Sequence, residues 1–220
     1  MKRQEEASLT TSLLRQPADG LGGRKRQPSG DRARERAMHA AMGLIAERGV
    51  GKVRMVDIAA RSGMSTGHIL YHFGKKERLL LEVLVWSESF VAEQYERRCA
   101  RAVSPQERLE AFVDAYLPSG ADDERWALWT QAFAQRLGSG EDQAIITALT
   151  DEWEERLREV IVATRAREAT SAFVDAAVIR IRALLDGLSI DIVCGNPRWD
   201  SGSVREFALD AIRLDPAFAT

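Results

Sequence analysis

The chain has 220 residues, 45% of them apolar and 29% charged, which suits a buried core and argues against disorder throughout. No apolar run nears the ~18 residues of a membrane-spanning helix, and the N-terminus lacks a secretory signal's apolar block, so a cytoplasmic protein is expected. The net charge of −2 hides a split: residues 1–80 carry 16 Lys/Arg against 8 Asp/Glu, and residues 81–220 carry 15 against 25, so a polyanion is drawn to the basic end.

Residues 1–30, rich in Gly, Ser, Pro, Gln and Arg, read as a disordered basic tail with the segment Arg24-Lys25-Arg26 and a short helix near residues 5–14. From Asp31 onward Ala37, Ala40, Ala41, Leu44 and Ile45 recur at helical spacing, and Gly49 ends that helix at Arg48. A short helix over 55–62 follows. Gly63 then supplies a turn, and Ser65 caps a second short helix over 66–72. A long helix starts near Lys75 and runs to about Arg101. Ala59 is small enough for a close crossing, while Met64 and Ile69 point between the two short helices. This is helix-turn-helix grammar, and the second helix of such a pair can lie in a DNA major groove. Any short corner of two helices imitates the pattern.

The next segment sharpens it. Residues 32–84 resemble the DNA-binding domain of the tetracycline-repressor (TetR) family of bacterial transcription regulators. The resemblance rests on Glu47-Arg48-Gly49, Asp57-Ile58-Ala59, Gly63-Met64-Ser65, Tyr71-His72-Phe73 and Lys76-Glu77. Ser65-Thr66-Gly67 also looks like the choline-responsive repressors within that family. The resemblance implies roles for single positions. Ser65, Thr66 and Gly67 match positions that approach the DNA backbone or base edges, and His68 matches a base-facing position. Tyr71 and His72 match contacts to phosphates or thymine methyls, and Lys76 matches a phosphate-binding lysine. Physical chemistry agrees, because helix N-termini offer free N–H groups to phosphate, and phenol, imidazole and ammonium groups donate to its oxygens. Tyr71 has an alternative in packing on the first helix, and His68 in simple solvation. Two departures stand out. The family's hydroxyl at the start of the first short helix is missing from Val53-Arg54-Met55, where Arg54 can replace a phosphate contact but not a cap. Lys75 stands where the family often has Ser or Asp, adding positive charge near DNA.

Ser104-Pro105-Gln106-Glu107 opens the next helix with a cap, a proline at the first position and a capping-box glutamate. Helices are expected over 105–117, 123–136, 141–167, 172–194 and 203–213, with Leu137-Gly138-Ser139-Gly140 as a turn and Ser203 with Glu206 as a second capping box. No strand alternation or internal repeat is present, so the fold is expected to be all-α. It divides into an N-terminal three-helix helix-turn-helix domain at 31–78 and a larger helical domain at 79–220. The resemblance implies that the larger domain binds a small molecule and dimerises. Val174, Val178, Ile181, Leu185, Leu188 and Ile192 form one packed seam, and Val204, Phe207, Ala208, Ala211 and Ile212 another. Paired across a two-fold axis, they give a four-helix dimer interface; packing within one chain is the alternative. Trp126, Trp129, Phe133 and Trp153, with acidic neighbours, either hold a cation by cation–π attraction or form core. Asp186 lines a polar pocket or sits at the surface.

The sequence holds no G-x-S-x-G elbow, phosphate-binding loop or H-E-x-x-H motif. With two cysteines and three histidines, neither catalysis, nor a metal, nor a cofactor is expected. The expected function is a ligand-responsive repressor that binds a double-stranded operator as a homodimer. The alternative is a helical adaptor that uses the fold without specific DNA binding.

Overall fold

The computed structural model describes residues 28–135, 140–164 and 170–218. The basic segment at 24–26, the helix expected near 5–14 and the turn at 137–139 lie outside the described residues. Among the described residues the fold is all-α, as expected, without a strand. In chain order the helices are α1 (Pro28–Arg48), α2 (Met55–Ser62), α3 (Thr66–Phe73), α4 (Lys76–Cys99), α5 (Pro105–Tyr116), α6 (Glu124–Gln135), α7 (Gly140–Thr164), α8 (Ser171–Val193) and α9 (Ser201–Arg213). A single 3-10 turn, Val50–Lys52, joins α1 to α2. No helix among the described residues is long and apolar enough to cross a membrane.

The helix ends follow local chemistry. α1 starts at Pro28, so residues 28–30 belong to the helix rather than to the tail; proline suits a first helical position because its missing N–H would be unpaired there. Ser104 caps α5 by accepting from the Glu107 N–H at 3.2 Å. The Glu107 carboxylate reaches back to the Val103 N–H, at 2.9 Å, one residue beyond the usual box. α9 departs from the expected start at Ser203. Asp200 is the cap, accepting from the Gly202 and Ser203 N–H groups at 2.9 and 2.8 Å, and Ser203 returns the bond to the Asp200 N–H. The Asp200 carboxylate accepts two backbone bonds at once, so the helix begins two residues early.

The described residues divide into two compact units, one within the bounds Met1–Ser89 and Glu124–Ala148, the other within Phe90–Asp123 and Leu149–Thr220. In the first, Ala37, Ala41 and Leu44 of α1, Ile58 and Ala59 of α2, Ile69 and Phe73 of α3 and Leu79, Leu81 and Leu84 of α4 are buried. In the second, the buried set is Leu109 and Phe112 of α5, Leu157 and Ile161 of α7, Val174, Val178, Ile181 and Leu185 of α8, and Val204, Ala208 and Ile212 of α9. α9 packs on both α5 and α8. The seam Ile181, Leu185, Leu188, Ile192, expected at a dimer interface, is therefore turned inward. All four side chains are buried within the single chain, Leu188 and Ile192 keeping a small exposed remainder.

Candidate nucleic-acid interface

α2 and α3 meet at a tight turn. Gly63 adopts φ 69° and ψ 29°, a left-handed conformation that side chains with a Cβ disfavour, and the Met64 N–H closes onto the Ala59 carbonyl at 2.9 Å. Ser65 caps α3, accepting from the His68 N–H at 3.1 Å. α3 buries Ile69 and Phe73, and Thr66 is half-buried. Gly67, His68 and Tyr71 face solvent. Tyr71 is 74% exposed, which removes the alternative that it packs on α1. Its ring meets His72 edge-on, with centroids 5.5 Å apart. The His68 and His72 Nε2 atoms are 3.0 Å apart, so one imidazole donates to the other along the exposed side of the helix. Two polar rings and a phenol thus form one continuous surface on a two-turn helix.

The flanking cations differ in how they are held. Lys76 donates from Nζ to the Val50 carbonyl at 3.5 Å, and Lys75 Nζ lies 3.7 Å from the Asp142 carboxylate. Arg54 occupies the cap position of α2 in extended conformation and makes no side-chain cap, as its side chain requires. Its guanidinium instead forks onto Asp57, with Nε and Nη2 contacts of 2.9 and 3.1 Å. Hydrogen bonding from Arg54 holds the Asp57 carboxyl below the ordinary carboxylate range, against a smaller opposing effect of burial.

The residues expected to meet an effector are divided. Trp126, Trp129 and Phe133 belong to the first unit, and Trp153 and Asp186 to the second. Trp126 and Trp129 are buried; Trp129 stacks on Phe133 with centroids 5.2 Å apart and donates its indole N–H to buried Glu88 at 2.6 Å. In the second unit Trp153 gathers rings that the sequence reading missed. Phe112, Tyr116 and Tyr95 lie 5.8, 5.8 and 6.2 Å from it between centroids, and the Arg156 guanidinium lies 5.2 Å from its ring centre. The Tyr116 hydroxyl donates to Asp186 at 2.6 Å, so an acid and an aromatic cluster share one region. The step of four between Phe112 and Tyr116 was a readable signal; their meeting with Trp153 was not.

α8 has a second, outward face. Ala176, Ile179, Ala183, Gly187 and Ile190 are exposed at steps of three and four, Ile179 to 61%. On α9 Phe207 is exposed and Ala211 half-buried, and Leu214 just beyond the helix is 83% exposed. A Cβ placed on Gly187 meets nothing within 4 Å.

Comparison with known proteins matches this geometry to a group. The profile of the tetR family of bacterial regulatory proteins fits residues 37–83, and that of the C-terminal region of BetI-type transcriptional repressors fits residues 105–214. The chain is 29% identical over 160 residues to the HTH-type transcriptional regulator BetI of Agrobacterium fabrum, covering 71% of this chain and 75% of that one. It is 27% identical over 103 residues to the HTH-type transcriptional regulator CymR of Pseudomonas putida, covering 46% of this chain and 51% of that regulator, about half its length. A transcriptional regulator from Saccharomonospora viridis, solved in complex with choline, superposes with a TM-score of 0.73 at 27% identity over 83% of this chain and 96% of its own.

Proposed function

Since the chain belongs to the tetR family of bacterial regulatory proteins, we propose that it is a dimeric repressor released from a palindromic operator by a small-molecule effector. The observation that carries this reading is the outer face of α3, where exposed His68 and Tyr71 and half-buried His72 stand beside Lys75 and Lys76. In this reading residues 31–78 hold DNA and residues 79–220 serve the effector and the dimer. Ser65, Thr66 and Gly67 bring the α3 N-terminus to the DNA backbone, where its free N–H groups and positive dipole end meet phosphate. His68 reads a base edge, Tyr71 and His72 meet phosphates or thymine methyls, and Lys75, Lys76 and Arg54 supply positive charge. Arg54 must share its guanidinium with Asp57 to do so.

A helix of eight residues reads few base pairs, so two copies are needed for useful specificity. The outward face of α8, with Phe207, Ala211 and Leu214, is the surface we assign to the second copy. The effector is placed at the Trp153 cluster in the second unit. Aromatic faces beside a carboxylate suit a small organic cation, and the relative solved with choline supports that class. Trp126 and Trp129 then serve as core of the first unit.

A gel-shift scan of duplexes flanking the chain's own gene tests the reading. The expected result is one duplex, containing an inverted repeat, that is held at salt concentrations releasing the others, and loosened by millimolar choline. Equal affinity for every duplex at every salt concentration points instead to a fold used without specific DNA binding.

A further inference from the structure

The carbonyls at the C-terminal end of a helix have no intrahelical donor. In α3 one of them, that of His72, accepts from Arg34 of α1 at 2.8 Å, and the same guanidinium lies over the Phe73 ring, 4.7 Å from its centre. Arg34 therefore clamps the end of the helix that carries His68, Tyr71 and His72. It is itself held by Glu82 of α4, through its other terminal nitrogen. Glu82 also accepts from Arg78 Nε at 3.3 Å, and Arg78 Nη1 donates to Asp142 at 2.7 Å. Asp142 sits in the first turn of α7, where the helix dipole favours an anion, and its second oxygen lies 3.7 Å from Lys75 Nζ. Cation and anion alternate along the whole run, and Arg34, Glu82, Arg78 and Asp142 are each mostly withdrawn from solvent. The Arg34 Nε is buried with no acceptor, so the guanidinium is placed for its two terminal contacts at the expense of its third.

We infer that Asp142 is a positioning residue for α3: through Arg78, Glu82 and Arg34 it sets the C-terminal end of that helix, so that the placement of α7 is read at the DNA-facing surface. The inference rests on the proposed function for its meaning, and on the first unit's own geometry for its mechanism. Guanidinium forks bind in fixed planar geometry, so displacing Asp142 cannot be absorbed by one long flexible side chain. Each group in the run is charged and poorly hydrated and shares its partners, so a broken link shifts its neighbour onto the remaining one and the run rearranges as a unit. Asp142 has a second effect, because it competes with phosphate for Lys75.

The test uses the full chain, the tightest duplex recovered by selection from a random library, and a scrambled duplex. Asp142→Asn keeps the size of the side chain and removes its charge. It should lower the selected-to-scrambled affinity ratio by roughly tenfold, tighten the scrambled duplex slightly as Lys75 is freed, and speed hydrogen exchange in residues 66–73 but not in residues 171–193. Arg34→Lys, which loses the fork, should give the same drop in ratio and the same faster exchange in 66–73, and Asp142→Glu should restore most of the ratio. The inference is overturned if Asp142→Asn leaves the ratio and the α3 exchange unchanged, or if exchange rises equally in both helices, which marks a general loss of stability. Should the wild-type chain prefer no duplex at all, the proposed function fails, while the exchange pattern still decides whether Asp142 positions α3.

Discussion

Lys76 and His68 are eight residues apart and are assigned to the same polyanion, yet their removal should look different. Lys76 is a point charge, so Lys76→Ala should weaken all duplexes alike and reduce the log–log salt slope by about one unit per lost phosphate contact per subunit. His68 faces solvent within α3, so His68→Ala should cost the selected duplex roughly 1–3 kcal/mol per half-site more than a scrambled one. Titrating both variants at several salt concentrations separates the two roles; equal loss on both duplexes removes base reading from His68. Away from that surface, Asp114 offers a stability test. Burial pushes its carboxyl up, but hydrogen bonds from Arg205 and Arg98 outweigh burial and hold it below the ordinary carboxylate range. A folded-state pKa below the unfolded one stabilises the fold above about pH 4 and is lost as pH falls further. Asp114→Asn should therefore lower the urea midpoint at pH 7, and the difference should shrink steadily as the pH is taken below 4. Glu159 should do the opposite. Burial and the nearby Glu155 and Glu96 raise its pKa, so Glu159→Gln should stabilise the chain at pH 7 and lose that advantage below pH 4. Apart from Arg54, the residues proposed to meet DNA were legible because they lie in one stretch, 65–76, on two consecutive elements. The Trp153 cluster was not, because Tyr95, Phe112 and Tyr116 reach Trp153 from α4 and α5, and no local period records such a meeting.

At the scale of elements, capping residues announced the starts of α3 and α5, and the chemistry that made them legible also explains the exception at α9. Ser65 and Ser104 cap as their spacing suggests, and Ser65→Ala should cost about 1 kcal/mol, read as a lower thermal midpoint. Ser203 did not cap α9 because Asp200 stands three residues earlier with a stronger acceptor. The α8 seam left two alternatives open for a different reason. This helix is apolar on two sides, Val174 to Ile192 inward and Ala176 to Ile190 outward, and a period of 3.6 finds a stripe without telling what covers it. Gly187 lies on the outward side. A glycine inside a helix costs roughly 0.5–1 kcal/mol relative to alanine, and this one faces open space within the chain, which fits a position reserved for a second backbone. Gly187→Leu should keep or raise the stability of the single chain and shift the sedimenting species from dimer to monomer. A variant that still sediments as a dimer places the interface elsewhere.

For the whole molecule, the charge split and the single short reading helix make the same demand. On the proposed function a basic end approaches DNA, an acidic body is repelled from it, and two copies hold their α3 helices at one groove spacing. Release then needs only a change in that spacing, and linkage requires operator DNA to weaken the effector by the factor with which the effector weakens DNA. With choline as the probe, Asp186→Asn should weaken the effector while leaving DNA affinity in its absence intact, by calorimetry and gel shift on the same preparation. Equal loss of both would make the Tyr116–Asp186 contact a structural bond. The most direct test of the account is selection from a random duplex library by the full chain, with the stoichiometry of the winning complex measured by sedimentation. The account predicts enrichment of an inverted repeat bound by two copies, with enrichment lost in His68→Ala. A library that emerges unenriched, or a single half-site bound fully by one copy, would contradict it.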